Sequence, residues 1–268
     1  MSLLVGTSGW QYRDWREVVY GGAPPRTWLA RYSAELPTVE VNNAFYRLPE
    51  RSVFARWHDE TPPGFVMAVK VSRYLTHVLR LREPAEPVAR LVDRAAALGD
   101  RLGPYLLQLP PTLRVDVDRL DACLRAFPAG ARVAVEPRHE SWWCDEVRTV
   151  LERRGAALCW SDRRGRPLTP LWATAGWGYL RLHEGAASPW PSYGRTALGT
   201  WLDRLAATWP LRSSAAGTTG AAPAAGTTRA AGAADVFVYF NNDQHAAAVA
   251  NARTMMRMAR RRGLALPR

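Results

Sequence analysis

The chain has 268 residues, is 47% hydrophobic and carries a formal charge of +12 with a pI near 10.4. That length and apolar content suit one sizeable core in a single domain over residues 1–268, while no apolar run approaches the roughly 20 residues of a membrane span. Cys123, Cys144 and Cys159 show no close metal-like spacing and are odd in number, which argues against a disulfide framework and fits a reducing cytoplasm.

Lys70 is the only lysine among 36 basic residues. The arginines are scattered over presumptive helix surfaces, among them Arg90, Arg94, Arg148, Arg153 and Arg257. A general compositional bias would produce the same surplus, so a solvated basic surface competes with an electrostatic footprint for nucleic acid.

In chain order, Leu3–Ser8 is a short apolar strand, and the glycines of GTSGW turn the chain into a loop holding Trp10, Tyr12 and Trp15. Pro24 and Pro25 open a helix that Pro37 stops after Leu36. The strand beginning at Thr38 follows, then a helix to about Asp59 with Ser52 as its expected cap. Phe65–Val71 is the third strand, with Lys70 near its end, and Pro84–Leu98 has helical spacing. Strands are expected at Tyr105–Leu109, Val133–Glu136, Ala157–Ser161, Gly178–His183 and Val236–Asn241. The helices between and after them cover about Asp116–Phe127, Ser141–Arg154 with Ser141 as N-cap, Arg195–Trp209 and Gln244–Arg262. The tract Ser213–Ala234 holds no aromatic and no aliphatic side chain larger than alanine, and reads as a disordered insertion before the last strand.

Eight short strands alternating with helices predict an α/β fold, a (β/α)8 TIM-like barrel. A doubly wound sheet is the alternative, but no Gly-rich dinucleotide fingerprint follows any strand.

Strands covered on both faces should be almost wholly apolar. The exceptions cluster at strand C-termini, the end where barrel active sites form. By alternation, Glu40 shares a face with Asn42, Glu136 with Arg138 and Arg181 with His183, while Lys70, Gln108, Tyr239 and Asn241 fall late on their strands. A buried carboxylate needs partners, so these groups are expected to converge. Glu40, Lys70 and Glu136 are the catalytic candidates; Asn42, Tyr46, His77, Gln108, Arg138, Arg181, His183 and Asn241 are the substrate-binding candidates. The carboxylates would act as acid and base, and Arg138, Arg181 and Lys70 would hold an anion.

Several alternatives stand beside this reading. The cluster could be a charge-balanced plug with no chemistry. Lys70 could form a Schiff base, although neighbouring carboxylates would keep it protonated. Glu136, Asp162 and His183 could offer an O, O, N metal set, although arginines surround Asp162. Asn241, Asn242 and Asp243 read as caps of the last helix. The aromatics Trp10, Tyr12, Trp15, Tyr46, Trp142, Trp143, Trp190 and Tyr193 either pack the rim loops together or stack on a base or sugar.

The segments GTSGWQYRDW, TVEVNNAFYRLP, FVMAVKVSRYLTH, GPYLLQLPP, VAVEPRHESW, YLRLHEG and VYFNND together resemble the YecE-like family, usually labelled a domain of unknown function. The likeness runs from about Leu3 to Met258. It implies a TIM-barrel relative and carries no established reaction. Ala44 stands where the family pattern has Thr, Pro137 stands where an aromatic is usual, and the low-complexity tract is extra.

The resulting expectation is an uncharacterised barrel enzyme acting on a small anionic substrate, a phosphorylated one included, by carboxylate acid–base chemistry. Hydrolysis, elimination and isomerisation all fit. The competing reading is a nucleic-acid-binding or nucleic-acid-processing protein. The cofactor is unknown, no metal is assigned, no membrane partner is expected, and the oligomeric state is open.

Overall fold

Ten strands form a single sheet in the computed structural model, which describes residues 2–209 and 235–267. They are β1 (Leu3–Thr7), β2 (Thr38–Val41), β3 (Val66–Lys70), β4 (Leu102–Gln108), β5 (Val133–Glu136), β6 (Ala157–Leu158), β7 (Trp160–Arg163), β8 (Arg166–Pro167), β9 (Gly178–Glu184) and β10 (Val236–Phe240). Their order is β6-β5-β4-β3-β2-β1-β10-β9-β7-β8. β1 pairs in parallel with both β2 and β10, so the first strand lies between the second and the last. Every neighbour pair is parallel except the β7–β8 hairpin.

The curl gives the sheet a concave face, and alternation decides what lies there. Leu4, Val66, Ala68, Leu106, Ala134, Ala157, Cys159, Trp177, Tyr179, Phe237 and Tyr239 make one small cluster, separate from the main core. Residues of opposite parity, such as Leu3, Val5, Val39, Val41, Val69 and Leu107, belong to that larger core together with residues of the covering helices. At the N-terminal end, Arg132 is 2.9 Å from Asp235 and its guanidinium lies over the Trp177 and Phe237 rings. The tight approach of β1 to β2 requires Gly6, where a Cβ would sit 2.0 Å from the Thr38 carbonyl oxygen.

The described residues hold nine α-helices, eight between strands and one after the last: α1 (Trp15–Val18), α2 (Trp28–Glu35), α3 (Asn43–Tyr46), α4 (Arg51–Asp59), α5 (Ala85–Ala95), α6 (Val117–Arg125), α7 (Asp145–Arg154), α8 (Arg195–Thr208) and α9 (Ala247–Arg261). α5 buries Val88, Leu91 and Ala95, a helical stripe. Asp116 caps α6 by accepting the Arg119 amide at 3.0 Å. α7 ends on Gly155 in the left-handed conformation.

The α/β class and the parallel curled sheet follow the sequence expectation. The sixth expected strand departs from it: the chain breaks at Cys159, so that β6 pairs with β5 and β7 pairs with β9. β4 begins at Leu102, ahead of the expected Tyr105.

The expected caps need correction. Ser52 lies inside α4, which begins at Arg51. Ser141 sits in a 3-10 turn before α7, where its hydroxyl accepts the Val115 amide at 2.9 Å and so ties two loops together. Asn241, Asn242 and Asp243 make no side-chain cap to α9. Asn241 and Asn242 serve tertiary contacts instead: Asn242 donates to the Pro191 carbonyl at 2.8 Å and to Asn251 at 2.9 Å. The tract at 213–234 lies outside the described residues.

Candidate active site

Glu40, near the end of β2, is fully buried. Its Oε1 accepts Ser8 Oγ at 2.9 Å and Arg181 Nη2 at 2.8 Å, while Oε2 accepts the Tyr179 hydroxyl at 2.7 Å and Arg181 Nε at 3.0 Å. Four donors therefore occupy a carboxylate with about four lone-pair sites. Burial pushes the Glu40 pKa up, but Arg181, Lys70 and the Tyr179 hydroxyl outweigh it and hold it below the usual value.

Glu136, the last residue of β5, is equally enclosed. Its Oε2 accepts Gln108 Nε2 at 2.5 Å and Arg181 Nη1 at 2.8 Å. Its Oε1 contacts His183 Nε2 at 2.9 Å, Ser161 Oγ at 3.1 Å and Arg138 Nη2 at 3.3 Å. Burial opposes ionisation here too, but Arg181 leads the groups that hold this carboxyl well below its usual range. His183 continues the chain: its Nδ1 is 3.2 Å from Asn241 Nδ2.

Arg181 is thus the hub. It bridges both glutamates from β9, which alternation alone made visible as a candidate but not as the shared partner. Both carboxyls are held below their usual pKa and ringed by donors, an arrangement that fixes Arg181, Gln108 and His183 in place.

Lys70 differs. It is only 8% exposed. Among the described residues no hydrogen bond or ion pair engages its ammonium, whose Nζ lies 4.3 Å from the centroid of the Phe45 ring. Burial first, then the Arg181 charge, lowers its pKa to about 8, against weaker opposition from Glu40 and Glu136. Glu40 and Glu136 still favour the protonated amine, but Arg181 takes both as direct partners and they do not offset burial.

Lys70, Gln108, Arg138, Arg181, Asn42, Tyr46 and Asn241 line a cavity of about 430 Å³ with Gln11, Asn43 and Tyr12. Asn241 and Arg138 also face a neighbouring cleft of about 790 Å³, which His183 lines beside Glu136, Ser161 and Trp143. His77 lies off the cavity. Its ring packs edge-on against Phe45 at 5.1 Å, and its Nδ1 is 2.9 Å from Thr76 Oγ1.

Ser8, Tyr179, Ser161 and Gln11 were missed. Ser8 and Tyr179 share the inward parity of Gly6 and Arg181, so alternation could have found them; Gln11 comes from a loop and carries no such signal. Asp162 turns away from the proposed metal set, accepting the Trp201 indole at 2.9 Å and the Gly165 amide at 3.1 Å.

Most of the rim aromatics pack. Trp10, Trp15, Trp142 and Tyr193 are buried, and the Trp15 and Trp142 indoles donate to the Asp243 and Leu113 carbonyls. Tyr46 and Trp190, 81% and 43% exposed, are the exceptions.

Fold and site together define an α/β protein with a charged cleft at the C-terminal end of a curled parallel sheet. The chain belongs to the family described as protein of unknown function DUF72, whose profile matches residues 4–268. It is 28% identical over 168 residues to the UPF0759 protein YecE of Escherichia coli (strain K12), a match covering 60% of each chain. A DUF72 family protein from Thermotoga maritima MSB8 superposes with a TM-score of 0.76 at 25% identity, over 97% of this chain and 100% of that one. A second, from Enterococcus faecalis V583, gives 0.71 at 18% identity over 97% and 98%. SacUVDE shares the fold more distantly, with a TM-score of 0.54 at 8% identity over 98% of this chain and 100% of that one. No helix among the described residues is long and apolar enough to cross a membrane.

Proposed function

We propose that this protein is a cytoplasmic (β/α)8-barrel enzyme whose cavity binds a small anionic, carboxylated or phosphorylated, substrate. The barrel reading treats β6 and β7 as one strand interrupted at Cys159, whose amide still donates to the Val135 carbonyl at 2.8 Å. With β8 set aside as a hairpin arm, eight parallel strands close a ring through the β1–β10 pairing. The free state of all three cysteines supports a reducing compartment.

The observation that carries the functional reading is the Lys70 ammonium, buried beside a cavity with no carboxylate paired to it among the described residues. A lone buried cation is costly to fold. Glu40 and Glu136 are matched against Arg181, Lys70 and Arg138, so the cluster holds one positive charge more than it balances. An anion in the cavity would complete it.

Thermal shift at constant ionic strength tests this with inorganic phosphate and a panel of phosphorylated and carboxylated metabolites. A ligand bound only by the folded state raises the melting temperature. The expected result is a rise for at least one anion that Lys70→Met abolishes; equal responses from wild type and variant across the panel would sink the reading.

A second reading, nucleic-acid binding, draws on exposed Tyr46 and on Arg163, Arg164 and Arg166 along the β7–β8 hairpin. Glu184 already pairs with Arg163 and Arg164 at 2.6 and 2.8 Å, which weakens it. It requires oligonucleotide affinity that falls steeply with salt, and negligible binding at low salt would end it.

A further inference from the structure

We propose that the anion taken by this cavity also carries an aldehyde or ketone, as in a 2-oxo acid or a phosphorylated ketose, and that Lys70 condenses with that carbonyl to form an imine. The inference rests on the anion-binding reading above and deepens it by naming the reactive group.

Three observations converge. First, Lys70 is nine-tenths buried, faces the cavity and has no hydrogen bond or ion pair among the described residues, because Arg181 draws both interior carboxylates to itself at 2.8 Å. A partnered ammonium is a poor nucleophile, whereas a desolvated one beside another cation gives up its proton more readily. Second, the chain uses arginine everywhere else it places a fixed positive charge; position 70 holds its only lysine. A guanidinium would serve an anion site at least as well and stays protonated in proteins, so simple charge does not explain the amine. Third, once Lys70 is committed to a carbon atom, the cavity still offers a cation for the substrate's anionic end. Arg138 lines it and is held to Glu136 only at 3.3 Å, and Asn42, Asn43, Gln11 and Asn241 supply neutral donors around it.

The step balances without an oxidant or cofactor. The lone pair of neutral Lys70 Nζ attacks the carbonyl carbon, the carbon–oxygen π pair moves to oxygen, and that oxygen takes a proton while the nitrogen loses one. The resulting hydroxyl leaves with a further proton as water, and the nitrogen lone pair forms the C=N bond. Starting from the ammonium, one water and one iminium cation are produced, with no net change in charge.

Reductive trapping tests the inference on the full chain. Wild type, Lys70→Arg and Lys70→Met are incubated with sodium cyanoborohydride and glyoxylate, pyruvate or dihydroxyacetone phosphate, then read by intact mass and peptide mapping. With one lysine in the chain, modification at Lys70 is readily separated from modification of the terminal amine. Expected are one adduct per chain on Lys70 with at least one probe, none at position 70 in either variant, and at least a tenfold slowing by excess inorganic phosphate. Circular dichroism of both variants checks that the fold is kept. Thermal shifts with lactate and glycerol 3-phosphate, which carry no carbonyl, run in parallel. Shifts without Lys70 adducts would overturn the imine and leave anion binding standing; neither shifts nor adducts would overturn both.

Discussion

The guanidinium of Arg181 meets the carboxylate of Glu40 side-on, with Nε 3.0 Å from Oε2 and Nη2 2.8 Å from Oε1, and both residues are buried. The same guanidinium extends Nη1 to Glu136 Oε2 at 2.8 Å. Removing it strands two buried negative charges. Arg181→Met is expected to cost about 3–5 kcal/mol, the range for breaking a buried pair by deleting one partner. Arg181→Lys should recover little, since one ammonium cannot reproduce this fork. Urea denaturation monitored by circular dichroism measures both.

The same pairing sets the acid limit of the fold. Glu40 and Glu136 both have native pKa values below the usual 4.5. The unfolded chain therefore binds these protons first as pH falls. The stability they contribute is fully present above about pH 4.5 and is lost as pH drops through the native values. Melting temperature should be level near neutrality and fall below pH 4.5. Glu136→Gln should flatten that fall; an unchanged slope would contradict the assignment.

Lys70 gives the opposite signature at high pH. Its folded pKa of about 8 lies below the usual 10.5, so between those values the unfolded chain holds the proton and the folded chain does not. Stability from this group therefore rises as pH climbs from about 8 to 10.5. Wild type measured against Lys70→Met should gain over that window. At pH 7 the variant should be more stable by about 1–3 kcal/mol, because a desolvated charge has been removed.

Ligand binding should follow the charge on Lys70 as well. Affinity for an inert anion such as inorganic phosphate is expected to drop at least several-fold as pH rises through about 8, while carbonyl trapping should accelerate toward that pH as neutral amine appears. Calorimetric titration and the trapping rate report the two trends, which are expected to move in opposite directions with a shared midpoint if one amine serves both.

Tyr179 supplies a conservative probe. Its hydroxyl donates to Glu40 Oε2 at 2.7 Å in the buried interior, so Tyr179→Phe removes one of four donors and leaves the ring packing against Phe237 and Tyr239. A loss of about 1–3 kcal/mol is expected from the under-satisfied carboxylate, measured by denaturant unfolding.

The chain's local pattern determined a great deal. Short apolar runs and the helical spacing between them marked the strands and their covering helices, and strict alternation placed Glu40, Glu136, Arg181 and His183 on inward-facing positions, because a strand permits only two sides. Their lateness on each strand marked the end of the sheet where they would gather. Partner choice was decided only in three dimensions. Arg181 lies 141 residues from Glu40 in sequence and reaches it because β1, β2, β9 and β10 curl until their inner faces oppose. That geometry joined the two expected acid–base carboxylates through one arginine and left the single lysine without a hydrogen bond or ion pair among the described residues. It also packed Trp15 and Trp142 inward and moved His77 behind Phe45, since loop side chains follow the tertiary contacts of their strands rather than any periodicity of their own.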